Sequence, residues 1–120
     1  MTNKTDNIEK AAARFRKSRA EYVEGEKADG HAAGRRWVLE DAEYPEVQAL
    51  AEFKLSGYPE HAWSELYALL LDKNPDLDDS DLRVSLFGYG GEDHDDPSPA
   101  WVEGFLEGAK EAWAEVRVKV

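Results

Sequence analysis

The stretch SPAWVEGFLEGAKEAWAEV, residues 98–116, carries much of the information on the fold. Ser98 is suited to the N-cap of a helix and Pro99 to its first turn. Apolar or small residues then recur every three or four positions, which is the period of one helix face. They are Trp101, Phe105, Gly108, Ala112 and Val116. The pattern predicts a helix that begins at Pro99 and ends near residue 117.

Pairs of glycines four residues apart occur twice, as Gly104 and Gly108 in this helix and as Gly30 and Gly34 far upstream. Such a pair removes side chains from one helix face, so another backbone can approach closely. Two alternatives follow. The first and last helices cross closely within one chain, or the glycines form a self-association surface in a homodimer.

The N-terminal part of the chain has a helical stripe with alternating spacings of three and four, namely Ile8, Ala11, Phe15, Ser18 and Tyr22. We predict one long helix over residues 6–41, capped by Thr5 or Asp6. A break near Gly25–Gly30 is left open as an alternative, because glycine costs a helix about 1 kcal/mol relative to alanine.

Proline and glycine mark two shorter helices in the middle of the chain. The second helix is predicted to start at Pro45 and to end at Gly57, which is suited to the position after a helix terminus. The third is predicted to open at Pro59 and to stop at Asn74–Pro75.

Residues 82–86 leave two interpretations open. Leu82, Val84 and Leu86 alternate with polar residues as in a strand, and residues 116–120 alternate in the same way, so the two segments are candidates for an extended pair. Alternatively, Asp79, Ser80 or Asp81 caps a short helix. We therefore predict one acidic helical domain over residues 1–120, frayed at 1–5. Its fold class is all-α, a compact bundle of four or five helices, with a minor two-stranded pair as the open detail.

The charge is strongly asymmetric along the chain. The net charge is −11, and residues 1–36 contribute +3 from nine basic and six acidic residues, which leaves −14 for residues 37–120. An acidic surface repels phosphates, so direct nucleic-acid binding is not expected. The basic stretch at 14–19 is expected to pair with carboxylates of the same chain.

Several chemistries are excluded or disfavoured. The chain has no cysteine, which excludes disulfides, thiolate catalysis and cysteine-based metal sites. It has no leader-like segment and no apolar run near the roughly 20 residues that span a bilayer, so a cytoplasmic protein without membrane contact is expected. The acidic loop at 72–81 does not fit a calcium-binding loop that begins at Asp72. Leu77 stands where such a loop needs a glycine, and Arg83 stands where it needs a bidentate glutamate.

His94 is the one candidate for metal chemistry, because carboxylates flank it at residues 92–93 and 95–96. A metal-dependent enzyme would need distant ligands to converge on this histidine, and the glycine-rich run at 88–91 lacks the lysine of a phosphate-binding loop. We therefore expect no cofactor, no metal and no catalysis.

The leading functional hypothesis is a small protein–protein interaction module, such as an adaptor, an inhibitor or an accessory subunit. Trp113 is offset from the predicted inner stripe and is a candidate anchor for a protein partner. The alternative is an acidic nucleic-acid mimic that inhibits a DNA- or RNA-binding protein. It is suggested by a row of carboxylates on the last helix, Glu103, Glu107, Glu111 and Glu115. Like charges at this spacing destabilise a helix, so the row calls for an explanation.

Overall fold

The computed structural model describes residues 4–87 and 96–120, and these form five α-helices with no strand among them. The helices are α1 (Lys4–Glu40), α2 (Tyr44–Glu52), α3 (Ala62–Lys73), α4 (Asp79–Phe87) and α5 (Pro99–Val116). Short 3-10 turns precede α3 at Pro59–His61 and follow α5 at Arg117–Lys119. The predicted all-α fold class is confirmed.

Helices α1 and α5 form the main contact of the fold. The backbone of Lys27 lies beside Gly104 and that of His31 beside Gly108, so residue numbers increase in the same direction on both helices and the two run parallel. The other three helices pack around α5 and the second half of α1. They complete a core that includes Trp37, Leu50, Leu66, Leu70, Leu82, Leu86, Val102 and Phe105.

Three aromatic rings join the helices at the centre of this core. Trp101 stacks on Phe105 with 5.3 Å between ring centroids, and Phe105 contacts Trp37 at 5.4 Å. Because α5 carries two of these rings and α1 the third, the stripe predicted for residues 98–116 is the inner face of α5.

The helix ends agree with the predictions where capping is local. The Ser98 hydroxyl accepts a hydrogen bond from the Trp101 backbone N–H at 3.2 Å, and Pro99 opens α5. Residues 82–86 belong to α4, whose first turn is capped by the Asp78 carboxylate, which accepts from the Asp81 N–H at 2.7 Å. The helical alternative therefore holds there, but the capping residue is Asp78 rather than the predicted Asp79, Ser80 or Asp81. The described residues contain no extended pair between 82–86 and 116–120.

Two predicted helix boundaries are wrong, and the break that the glycines left open in the first helix does not occur. The first helix already includes Thr5 and Asp6 and continues through Gly25–Gly30 without a break. The second ends at Glu52 rather than at Gly57, because tertiary contacts favour an extended segment after it. The Lys110 ammonium donates to the Phe53 carbonyl at 2.8 Å.

The molecule is elongated rather than a compact bundle. Its radius of gyration is 17.8 Å and its longest dimension is 67 Å, whereas a compact chain of this length has a radius of gyration of about 14 Å. The 37-residue α1 is about twice as long as the 18-residue α5, so the helices that cover its second half leave its first half projecting. We call the projecting residues 4–25 the α1 arm.

Candidate interaction surface

The four predicted glycines lie where α1 and α5 touch. An added Cβ on Gly30 would meet the Trp101 carbonyl oxygen at 2.0 Å, and one on Gly34 would meet that of Phe105 at 2.1 Å. Added Cβ atoms on Gly104 and Gly108 would meet backbone carbonyl oxygens of α1 at 2.0 and 2.1 Å. Each helix therefore presents two glycines to the backbone of the other, within a single chain.

The carboxylate row of α5 lies beside a row of basic side chains on α1. Glu107 pairs with Lys27 at 3.3 Å, and Glu111 contacts His31 Nε2 at 2.9 Å. The Arg35 guanidinium bridges the row, since its two terminal nitrogens lie 2.7 Å from carboxylates of Glu111 and Glu115. Glu103 has no cation within ion-pair distance among residues 4–87 and 96–120.

This pairing changes the electrostatics of the row. The hydrogen bond with His31 is the main cause that lowers the pKa of Glu111, and the charge of Arg35 acts in the same direction. Contacts between the two helices therefore offset the like-charge repulsion along α5. An internal structural role accounts for three of the four carboxylates.

Sequence reasoning missed the three partners of the row, although a signal was present. Lys27, His31 and Arg35 are spaced by four residues, as the glutamates are, and they surround Gly30 and Gly34 as the glutamates surround Gly104 and Gly108. One glycine pair is flanked by basic residues and the other by acidic residues, with the same spacing of four. This combination indicates two helices that pack side by side with each basic residue next to an acidic one.

Trp113 lies half-buried at the edge of the core. Its ring meets that of Tyr44 edge to face, with 5.9 Å between the centroids. The indole thus contributes to packing α2 against α5, and the exposed part of this pair is mainly Tyr44, which is 55% exposed.

The α1 arm presents a continuous row of exposed apolar side chains. Ile8, Phe15 and Tyr22 are 67%, 62% and 61% exposed. They all precede Lys27, the first residue of α1 whose backbone lies beside a glycine of α5. The Arg14 guanidinium lies over the Phe15 ring at 5.0 Å from its centroid. We call Ile8, Phe15 and Tyr22 the arm stripe.

An open groove lies at the base of the arm, where the arm stripe meets the start of α5. Aromatic and acidic side chains from α1, α4, α5 and the segment before α5 line it: Tyr22, Glu26, Phe87, Asp96 and Trp101. The Glu26 carboxylate beside the Tyr22 hydroxyl raises the pKa of Tyr22. The groove therefore combines aromatic rings with carboxylates, and it adjoins the stripe at Tyr22.

His94, the one candidate position for metal chemistry, lies outside the described residues. Within residues 4–87 and 96–120, no group of three or more His, Asp or Glu side chains is placed to hold a metal ion. In the acidic loop, the Asp79 carboxylate accepts from the Tyr67 hydroxyl at 2.8 Å and from Arg83, so it serves the packing of α4.

None of the described helices is long and apolar enough to cross a membrane.

The fold and surface define an elongated all-α protein with a projecting amphipathic arm. No family model matches the chain, and neither a curated protein nor a solved structure matches it.

Proposed function

We propose that this protein is a non-catalytic protein–protein interaction module that binds through the α1 arm. The observation that carries the proposal is the arm stripe, in which three large side chains on one helix face are each more than 60% exposed. A contiguous exposed apolar surface on a soluble chain is typical of a protein-binding site.

The spacing of the stripe suits recognition of a helix by an apolar surface. Ile8, Phe15 and Tyr22 are seven residues apart, so they lie along one side of the arm and can contact a partner together. Covering the exposed parts of Ile8 and Phe15 would contribute about 1–2 kcal/mol for each side chain. These contributions make the stripe the part of the arm best suited to anchor a partner.

The sequence analysis suggested other binding surfaces, which receive less support. Trp113 is half-buried against Tyr44, so less of it is available as an anchor. Three carboxylates of the α5 row pair with α1, which weakens the case for a nucleic-acid mimic built on that row. Mimicry therefore remains the alternative prediction. We place the proposed interaction in the cytoplasm, in keeping with a chain free of cysteine.

Site-specific photo-crosslinking tests this proposal. A photoreactive amino acid replaces Phe15 in one variant and Lys17, on the opposite side of the same helix, in a control variant. After irradiation in extract of the native cell, we expect defined protein adducts from position 15 and far fewer from position 17. Equal adducts from both positions, or none from either, would contradict an interaction through the arm stripe.

A further inference from the structure

We infer that the α1 arm binds the α1 arm of a second copy of this chain as a short antiparallel coiled coil, an inference that rests on the proposed interaction through the arm. The observation is a repeat of large and small residues along one face of the arm. The large side chains Ile8, Phe15 and Tyr22 alternate with the small residues Ala11, Ser18 and Gly25. Spacings of three and four residues place all six on the seam of a coiled coil.

An antiparallel arrangement sets a large residue opposite a small one in every layer. The register is set by pairing Ile8 of one copy with Gly25 of the second. In this register Phe15 faces Ser18, and Tyr22 faces Ala11. Each layer occurs twice by symmetry. Interdigitation of large and small side chains fills such a seam without voids or overpacking. A parallel arrangement would oppose Phe15 to Phe15 and Gly25 to Gly25.

The charges that flank the seam favour the same orientation. In the antiparallel register, Arg14 of each copy lies beside Glu21 of the other, which gives two symmetric pairs of opposite charge. In the parallel register, Arg14 would lie beside Arg19, and Glu21 would lie beside Glu26. Charges at these flanking positions determine the orientation of coiled coils. The sequence thus selects the antiparallel pair and penalises the parallel one.

The length of the free surface matches this pairing. The last layer contains Gly25, where an added Cβ would meet nothing within 4 Å, whereas one on Gly30 would meet α5. The exposed surface therefore ends where the predicted seam ends. Ile8 of the second copy, opposite Gly25, would enter the groove at the arm base beside Tyr22 and Trp101. Six layers make a small interface, below the roughly 800 Å² per partner of stable complexes, so we expect a dissociation constant in the micromolar range.

Sedimentation equilibrium of the full chain over a range of concentrations tests the inference. We expect a monomer–dimer equilibrium for the unmodified protein. Phe15→Asp should raise the dissociation constant by about fiftyfold or more, since a buried charge in the central layers is unpaired. The control Lys17→Asp, on the outer face, should leave it within about threefold. Circular dichroism checks that both variants keep their helix content.

Charge exchange tests the orientation. In the antiparallel pair, Arg14→Glu sets two glutamates side by side and should weaken the dimer by about five- to tenfold, and adding Glu21→Arg should restore it. In a parallel pair, Arg14→Glu would lie beside Arg19 and strengthen the dimer, which would overturn the antiparallel arrangement.

A chain that stays monomeric at millimolar concentration would overturn the self-association inference. The crosslinking result separates this failure from failure of the proposed function. Adducts at position 15 with a different protein would then leave the interaction module standing with another partner. Absence of any specific adduct would remove both.

Discussion

Replacing Gly34 by alanine tests how the two long helices are held together. The new Cβ would lie 2.1 Å from the Phe105 carbonyl oxygen and 2.9 Å from the Ala109 backbone nitrogen. Both are main-chain atoms inside a helix, so neither can rotate away, and α1 and α5 must separate locally by about 1 Å to reach ordinary contact. Overpacking of this kind costs about 3 kcal/mol at the upper end of its usual range. Removal of a helical glycine returns about 1 kcal/mol. We therefore expect a net loss of about 2 kcal/mol.

Gly25→Ala is the matched control, because it makes the same change in the same helix where nothing lies within 4 Å. Urea unfolding followed by circular dichroism at low protein concentration should show the free energy of unfolding reduced in Gly34→Ala. In Gly25→Ala it should be unchanged or raised by up to about 1 kcal/mol. If Gly34→Ala were as stable as Gly25→Ala, the close approach of the two backbones would be refuted.

Further predictions concern charge and pH. Burial raises the pKa of Glu46. Its ionised carboxylate therefore destabilises the fold at pH values above the raised pKa, whereas below the pKa of the unfolded chain it is protonated in both states and has no such effect. Glu46→Gln should raise the free energy of unfolding at neutral pH but not in acid. The pKa of Glu111 is lowered chiefly by its hydrogen bond with His31, so this carboxylate stabilises the fold above its unfolded pKa and ceases to do so as the pH falls through the lowered value. An NMR titration should show the low pKa move towards its ordinary value in His31→Ala. Glu111→Lys, which sets a cation beside Arg35, should reduce the melting temperature more than Glu103→Lys does; equal effects would contradict the paired row.

Local signals predicted much of the fold. Ser98 and Pro99 fixed the start of α5 because a hydroxyl cap and a proline act within one turn. Residues 82–86 were ambiguous because Leu82, Val84 and Leu86 fit an alternating pattern as well as a helical one. Leu82 and Leu86 are fully buried and four residues apart, and Val84 is 43% exposed, so burial rather than propensity selects the helix.

The candidate site was less predictable because a stripe does not specify what covers it. The spacing of Ile8, Phe15 and Tyr22 is the same whether the partner is α5, another helix or another chain. Among residues 4–87 and 96–120, the arm stays exposed because α5 is shorter than α1 and runs parallel to it, which is a property of the assembled helices. For the same reason, the sequence does not show that carboxylates of the row from Glu103 to Glu115 are paired. Their cations lie on α1, and only the assembled helices bring the two rows together.

The pairing between helices also shows which charges stay uncompensated. Of the basic residues before residue 37, Lys27, Arg35 and Arg36 pair with carboxylates next to the core. The expectation that the basic stretch at 14–19 pairs with carboxylates of the same chain is not met among residues 4–87 and 96–120, since no ion pair involves it there. This uncompensated charge lies on the same 22 residues as the arm stripe. A helix that served only to extend the fold would need neither a row of exposed aromatic side chains nor a concentration of cations. Because both occur together on the arm, they support the proposed contact between the arm and a further polypeptide.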